Sequence, residues 1–278
     1  MESFSLVSAD GTPLAAGCWS PNGQPVAEVV LVHGACEHLG RYAHVAAALT
    51  QAGFRVTGVD LRGHGRSGGQ RGFVERFGDY VSDLRAVAAA VGEPYYLVGH
   101  SMGGLVCLDH LRTAPQVLGV ALSAPLLGVA VQPPWIKRAL GQVLSRLAPR
   151  FAMHNELDPS ALCSDPAVVA AYQSDPLVYD QLTPRWYTEM LGALDRVWGH
   201  QAQYTQPLYC AWGEDDRIVN VQAIARFMDG YQAPHQVVSY PGLCHEIMNE
   251  PSQAQVLRQL TSWLTDQLGA PGSQGDPP

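Results

Sequence analysis

The feature that most constrains this chain is a regular change in the spacing of its apolar residues. Short runs that are apolar at nearly every position alternate with longer segments in which apolar residues recur every three or four positions. The first pattern is typical of buried β-strands and the second of helices packed on one face. Strands and helices that alternate in this way form a mostly parallel central sheet flanked by helices. The sequence therefore predicts an α/β fold.

The alternation can be followed from the N-terminus to Pro125. Strands are predicted, in order, at residues 4–7, 14–19, 26–32, 54–59, 95–98 and 117–122. Helices are predicted at residues 43–51, 81–91 and 102–112. Asp10-Gly11 lies between the first two strands and is a strong hairpin signal. The first two strands should therefore be antiparallel, and the later ones parallel.

The pattern stops after Pro125 and returns near residue 208. Strands are then predicted at 208–212 and 236–240, and helices at 222–228 and 253–268. The interval contains helical segments broken by prolines and no predicted strand. We expect residues 1–125 and 207–268 to form the two parts of one core. Residues 126–206 are expected to form an inserted, mainly helical cap, and 269–278 a disordered tail.

Composition excludes several classes of protein. Apolar types make up 47% of the 278 residues and charged types 15%, which is enough for a large buried core. The net charge of −8 argues against a nucleic-acid partner. The six cysteines show no metal-binding or disulfide spacing. The cysteine spacing predicts no bound metal. We find neither a signal-peptide pattern nor a transmembrane run, and we therefore expect a cytoplasmic protein.

Two segments, residues 65–69 and 99–103, match the pattern G-x-S-x-G. A nucleophilic serine in this pattern lies on a sharp turn between a strand and a helix. Ser101 has that setting, because a predicted strand precedes it and a predicted helix follows it. Ser67 lies between two loops. The sequence therefore favours Ser101 as a nucleophile and a structural role for Ser67.

A serine nucleophile needs a base and an acid that orients the base. In this arrangement the acid and the histidine follow the serine after later strands. The strand at 208–212 is followed by three candidate acids, Glu214, Asp215 and Asp216, and His245 comes directly after the last strand. The spacing alone does not choose among the three acids.

The oxyanion of such a reaction is stabilised by two backbone N–H groups. One belongs to the residue after the nucleophile, which is Met102 here. The other comes from the loop after an early strand, for which the backbone of Ala35 is the candidate.

These motifs resemble those of the monoacylglycerol lipase and bacterial lysophospholipase group of the α/β-hydrolase superfamily. The likeness covers almost the whole chain. It is carried by an HGAGEHSGRY-like stretch, a DxxGHGxS loop, a GHSMGG elbow and a YxSDPL segment, which lie at residues 33–42, 60–67, 99–104 and 172–177. The resemblance implies the α/β-hydrolase fold and a serine esterase that needs no cofactor.

The resemblance also implies roles for individual residues. It selects Asp216 as the acid and His245 as the base. The positions that match a polar pocket for the glycerol end of the substrate are Glu37, Arg41, His100 and Tyr172. Glu37 and Arg41 could instead form a structural ion pair at a helix start. Cys36 stands where the family usually has glycine, which adds a side chain beside the oxyanion donor.

The substrate expected from the resemblance is a monoacylglycerol-like lipid ester. A lysophospholipase or a broad carboxylesterase would use the same chemistry with another leaving group. Dehalogenase or epoxide hydrolase chemistry is disfavoured, because the elbow carries serine where those enzymes use aspartate. A hydrolase-fold protein that only binds ligands is a further alternative, but no member of the triad is missing. The sequence does not predict an oligomeric state.

Residues 126–153 contain no acidic residue but four basic ones, Lys137, Arg138, Arg146 and Arg150. Apolar residues recur there at helical spacing: Trp135, Ile136, Leu140, Val143, Leu144 and Leu147. Such a stripe fits a lid that contacts anionic membranes transiently. It fits equally a cap helix that packs its apolar face onto the core.

Overall fold

The computed structural model describes residues 1–92, 94–131, 134–155 and 157–269. Its strands are β1 (Glu2–Val7), β2 (Pro13–Trp19), β3 (Glu28–Val32), β4 (Arg55–Val59), β5 (Tyr95–His100), β6 (Val117–Ser123), β7 (Met153–His154), β8 (Gln181–Leu182), β9 (Leu208–Gly213) and β10 (His235–Tyr240). Its α-helices are α1 (Ala43–Gln51), α2 (Gly78–Val91), α3 (Met102–Leu111), α4 (Trp135–Leu147), α5 (Pro166–Ser174), α6 (Pro184–His200), α7 (Val221–Asp229) and α8 (Gln253–Leu268).

The central sheet has the strand order β1-β2-β4-β3-β5-β6-β9-β10. Strand β2 runs antiparallel to both of its neighbours, β1 and β4. All the other neighbouring pairs in this sheet are parallel. The predicted α/β fold with a mostly parallel sheet is therefore confirmed. The parallel strands all end at one edge, and the loops that follow β3, β5, β9 and β10 meet there.

Both faces of the sheet are buried, and this explains the continuous apolar runs in the sequence. Successive residues of β5 point to opposite faces. Tyr95 and Leu97 join the core beneath α2, α3, α6 and α7. Tyr96 and Val98 join the core beneath α1 and α8. Strand β5 is thus a fully buried central strand, and its carboxyl end is held rigidly.

The chain between β6 and β9 contains α4, α5 and α6, but also β7 and β8, which pair antiparallel. The prediction that this interval has no strand is therefore wrong. Each of the two strands has only two residues, too few for an alternating pattern to be visible. Helix α6 packs on the core through Trp186, Met190 and Val197. The predicted tail at 269–278 lies, beyond Gly269, outside the described residues.

Helix α4 turns its apolar side to solvent. Trp135 is 76% exposed and Leu147 is 79% exposed. The helix is attached to α6 by its opposite side, where Ser145 Oγ lies 2.7 Å from Thr188 Oγ1. The interpretation that the apolar face of α4 packs onto the core is therefore wrong. Among the described residues no helix combines the length and apolarity needed to cross a bilayer.

Candidate active site

Ser101 forms the whole connection between β5 and α3. Its backbone has φ of +51° and ψ of −119°, a conformation that costs free energy in any residue with a side chain. The sharp turn brings α3 against β3, and a Cβ at Gly103 would lie 2.3 Å from the carbonyl oxygen of Val32. The glycine at this position is therefore needed for the turn to close.

The turn is fastened from the side of β6. The N–H of Ser101 donates to the carbonyl of Ser123 at 3.0 Å, and the carbonyl of Ser101 accepts from the N–H of Leu126 at 2.9 Å. Met102 is the first residue of α3, so its N–H belongs to the helix turn that lacks intrahelical acceptors. These contacts fix the serine at the carboxyl edge of the sheet, next to the first N–H of a helix.

The loops after β9 and β10 bring an acid to a histidine. Asp216 Oδ2 lies 2.7 Å from His245 Nδ1, and both side chains are buried. Oδ1 of the same carboxylate accepts the N–H groups of Ile218 and Val219 at 2.8 and 3.0 Å. With Nδ1–H donating to Asp216, a neutral imidazole presents Nε2 as a base.

The three candidate acids have different surroundings. Glu214 and Asp215 are exposed, and Asp216 is buried. The N–H of Asp215 donates to the carbonyl of Leu243 at 3.0 Å, which turns the next residue towards the histidine loop. The structure thus brings Asp216, and neither of its two acidic neighbours, to His245.

Electrostatics keep this carboxylate ionised. Burial, the largest influence, raises the pKa of Asp216, but His245 and the two N–H donors outweigh it and the net shift is downward. Burial, followed by the imidazole of His245, lowers the pKa of His100 to about 4. The ring centroids of His100 and His245 lie 4.7 Å apart, so the imidazole that neighbours His245 is a neutral ring.

The loop after β3 lies against the serine. A Cβ at Gly34 would be 3.4 Å from Ser101 Cβ, so the loop passes close to the turn at Ser101. The predicted second donor, Ala35, is the next residue in the chain. Cys36 has φ of +63°, the left-handed region that favours glycine. The residue that departs from the family pattern therefore keeps the backbone conformation of a glycine.

Two of the predicted substrate-binding residues bind each other. Arg41 Nη1 donates to Glu37 Oε2 at 2.5 Å. Glu37 Oε1 accepts the N–H of Gly34 at 2.6 Å and the hydroxyl of Tyr42 at 2.5 Å. Both oxygens of Glu37 are thus engaged within the protein, and the contacts support the ion-pair interpretation of this residue.

The other two predicted pocket residues lie on either side of this pair. His100 is buried with Nδ1 at 3.1 Å from the carbonyl oxygen of Ser123. The ring of Tyr172, on α5, lies under the guanidinium of Arg41 at 4.8 Å. Tyr172 is thus in contact with the Glu37–Arg41 pair, and His100 is held on the β6 side.

The chain between β6 and β9 is fastened to the loop after β3. The N–H of Tyr179 donates to the carbonyl of Cys36 at 3.2 Å. His38 Nε2 lies 2.8 Å from Asp175 Oδ2. The motif segment at 172–177 is thus held directly over the loop that passes Ser101.

Ser67, in the second G-x-S-x-G segment, supports the fold. Its Oγ accepts the N–H of Ala15 at 2.8 Å and donates to the carbonyl of Asp60. The hydroxyl therefore ties the loop after β4 to β2, and it is not part of the elbow.

Glu246 is the residue at this site that the sequence did not single out. It follows His245 directly and forms two hydrogen bonds to Arg41, each 2.7 Å long. The two residues are 205 positions apart in the chain, so no local pattern reports their contact. The only sequence signal is a carboxylate next to the predicted base.

Comparisons with known proteins identify the family of this chain. Residues 23–252 match the model of the Hydrolase_4 family, described as serine aminopeptidase, S33. The chain is 35% identical over 274 residues to the monoacylglycerol lipase of Mycolicibacterium smegmatis, which covers 95% of this chain and 97% of the relative. It is 29% identical to phospholipase YtpA of Bacillus subtilis, covering 88% of this chain and 96% of the relative.

The fold is shared with a solved structure of a similar protein. The crystal structure of Paleococcus ferrophilus monoacylglycerol lipase matches with a TM-score of 0.86 at 28% identity, covering 96% of this chain and 100% of that one. The family match and the 35% identical relative each extend over most of the chain. The chain therefore belongs to the Hydrolase_4 family, described as serine aminopeptidase, S33, and has the α/β-hydrolase fold.

Proposed function

We propose that this protein is a serine ester hydrolase that cleaves monoacylglycerol-like lipids to a fatty acid and glycerol. The observation that carries the proposal is the buried hydrogen bond of 2.7 Å between His245 Nδ1 and Asp216 Oδ2, beside the strained turn at Ser101. A base oriented by a buried acid, next to a serine on such a turn, is the arrangement that activates a hydroxyl as a nucleophile.

In the proposed reaction Ser101 Oγ attacks the ester carbonyl carbon, and its proton passes to Nε2 of His245. Asp216 holds Nδ1–H and stabilises the imidazolium. The N–H groups of Ala35 and Met102 stabilise the oxyanion. The ester C–O bond then breaks, and His245 gives its proton to the leaving glycerol oxygen. Water, deprotonated by the same imidazole, hydrolyses the acyl-enzyme and releases the fatty acid.

The substrate class rests on two supports. The relatives described above include monoacylglycerol lipases from two organisms, and these cover nearly the whole chain. The cap interval also carries an exposed apolar helix face with basic neighbours, as expected of an enzyme that takes substrate from a lipid surface. Neither the relatives nor the exposed helix face implies a bound metal or cofactor.

Two other activities share the same machinery. A relative named phospholipase supports lysophospholipids as an alternative substrate class. The family description names an aminopeptidase, and an amide would be attacked through the same acyl-enzyme. The leaving group decides between these activities, so a comparison of substrates is the direct test.

We expect the highest kcat/KM with monoacylglycerols when esters with different leaving groups are compared. The panel comprises monoacylglycerols of increasing chain length, lysophosphatidylcholine, short p-nitrophenyl esters and an aminoacyl p-nitroanilide. Monoacylglycerols should exceed the other natural esters by about tenfold or more, since one or two well-placed contacts to the leaving group are worth ~1–3 kcal/mol. A preference for lysophosphatidylcholine or for the anilide would reassign the substrate class.

Replacement of the nucleophile should abolish the activity. We expect Ser101→Ala to lower kcat by several orders of magnitude, as loss of a triad serine does elsewhere. Ser67→Ala is the matched control. It should leave kcat within about tenfold, and it should lower the free energy of unfolding by ~1–3 kcal/mol because the N–H of Ala15 loses its acceptor. Steady-state kinetics and urea unfolding measure the two effects. Labelling of Ser101→Ala by a fluorophosphonate probe would contradict the assignment.

Replacement of the acid should distinguish the roles of two neighbouring carboxylates, Asp215 and Asp216. Asp216→Asn removes the acceptor that holds Nδ1–H of His245, and kcat should fall by about 10³–10⁴. Asp215→Asn changes an exposed side chain and keeps the backbone N–H bond to Leu243, so kcat should stay within a few-fold. Initial rates on a p-nitrophenyl ester suffice for the comparison. The opposite ranking would move the acid by one position.

We further propose that α4 contacts anionic membranes transiently through its apolar face. Trp135, Ile136 and Leu140 on that face are more than half exposed. Lys137, Arg138 and Arg146 lie on the same helix, and Arg150 follows it. Apolar side chains inserted at the interface and cations at the headgroups stabilise such binding together.

Charge reversal on α4 should weaken membrane binding without affecting the chemistry. Each basic residue near an anionic surface contributes ~1 kcal/mol, so Arg138→Glu with Arg146→Glu should weaken binding to anionic vesicles at least about tenfold. Hydrolysis of aggregated long-chain monoacylglycerol should slow, and hydrolysis of a soluble short-chain ester should not. Arg226→Glu with Arg258→Glu makes the same charge change on α7 and α8 and should leave vesicle binding unaltered. Equal loss of both activities in the α4 variant would refute the membrane role.

A further inference from the structure

A single guanidinium connects the two loops that carry the proposed oxyanion donor and the proposed base. Arg41 binds Glu37 of the oxyanion loop at 2.5 Å and both oxygens of Glu246 at 2.7 Å. The side chains of Arg41, Glu37 and Glu246 are 11%, 4% and 4% exposed. The bidentate pairing fixes the guanidinium plane as well as its position. The two loops are therefore held at a defined separation.

Each carboxylate also holds the backbone next to a reacting group. Glu37 Oε1 accepts the N–H of Gly34, the residue before the proposed oxyanion donor Ala35. Glu246 is covalently next to His245. Its Oε2 also accepts from Asn249 Nδ2 at 2.8 Å. A change at either carboxylate would thus be transmitted to the donor or to the base through one peptide unit.

The charges of this cluster do not cancel. Two carboxylates share one guanidinium, which leaves a net charge of −1 in a buried place. Burial, the largest influence, raises the pKa of Glu37, but Arg41 and the histidines His100 and His33 hold it below its ordinary value. A buried excess of negative charge is costly unless a positive charge develops nearby. In ester hydrolysis that positive charge is the imidazolium of His245.

We propose that Glu246 is a positioning residue of the hydrolytic site, which acts through Arg41 to fix the base loop against the oxyanion loop and whose charge favours the imidazolium that forms during proton transfer. The inference rests on the proposed function and extends it to a residue outside the triad. Glu246 does not touch the substrate in this role. It sets the position and the electrostatic surroundings of His245.

The groups that face His245 define the expected pH dependence. Asp216 at 2.7 Å and the neutral ring of His100 contact the imidazole directly. Glu246 is the next residue in the chain, and its carboxylate is bound with Glu37 to Arg41. Glu250 is a further buried carboxylate of that loop, where its Oε1 accepts the N–H of Cys244 at 2.9 Å. Glu246→Gln removes a negative charge and also leaves the positive charge of Arg41 less neutralised. Both changes disfavour the imidazolium form of His245. The acid limb of kcat/KM, which reports the free enzyme's base, should then move to lower pH.

Glu246→Gln keeps the shape of the side chain and removes its charge. We expect kcat on a soluble p-nitrophenyl ester to fall by about tenfold or more, with KM within about threefold of the parent value. The acid limb of kcat/KM should shift downward by about 0.5 to 1 pH unit. Glu246→Asp keeps the charge at a shorter reach, so it should lower kcat and leave the acid limb nearly in place.

Asp109→Asn is the matched control. Asp109 is a buried carboxylate held by Arg112 at 2.7 Å and Arg196 at 2.8 Å, on the α3 side of the sheet and away from the two loops. We expect both this variant and Glu246→Gln to lose thermal stability, and we expect Asp109→Asn to keep the parent pH profile. The comparison separates a loss of stability from a change at the base.

A double-mutant cycle tests whether Glu246 acts through Arg41. If it does, the loss of kcat in Arg41→Gln with Glu246→Gln should be smaller than the product of the two single losses, because each single change already breaks the same Arg41–Glu246 contact. Independent, multiplicative losses would contradict that route. An unshifted acid limb in Glu246→Gln would refute the electrostatic role. If the parent protein hydrolyses no ester at all, the proposed function fails instead, and these comparisons do not arise.

Discussion

The strained turn at Ser101 is the constraint on which the rest of the site depends. A strand ends at His100 and a helix begins at Met102, so one residue must reverse the chain with φ of +51°. Strain of this kind costs ~1–3 kcal/mol and persists only where the surroundings hold it in place. The hydrogen bonds of Ser101 to the carbonyl of Ser123 and from the N–H of Leu126 supply that support from the β6 side. The buried central strand β5 holds the turn rigidly. The loops after β3, β9 and β10 meet at the same edge of the sheet.

How much of the site could be predicted from the sequence depends on how far apart in the chain the residues that determine each feature lie. The elbow is local, because the change from strand to helix period at Ser101 is visible within about 15 residues and separates it from Ser67. Spacing alone leaves the acid ambiguous among three neighbours, and only the family resemblance selects Asp216. The choice depends on the N–H of Asp215 binding the carbonyl of Leu243 in another loop. The Arg41–Glu246 contact joins residues 205 positions apart and has no sequence pattern at all. Local geometry was predictable, and contacts between loops were not.

Cys36 shows how a departure from a family pattern can be accommodated. A residue with a side chain pays ~1–2 kcal/mol to adopt the left-handed conformation seen at φ of +63°. Its thiol is buried, and burial raises the pKa of Cys36 to about 12, so the group stays a neutral thiol. Asn155 Nδ2 lies 3.6 Å from the sulfur, and Tyr179 donates to the carbonyl of the same residue. The strained residue is thus one of the points at which the chain between β6 and β9 holds the loop after β3, and these contacts offset part of the strain.

The two long helices between β6 and β9 have different surroundings. Helix α6 buries Trp186, Met190 and Val197 in the core and cannot move without exposing them to water. Helix α4 is joined to α6 by a polar contact at Ser145 and turns Trp135 and Leu147 outward. An exposed apolar face of this extent is unfavourable in water and indicates a surface that is covered during function. The proposed membrane contact would cover that face without any change in the core, so we expect vesicle binding and ester hydrolysis to respond to different substitutions.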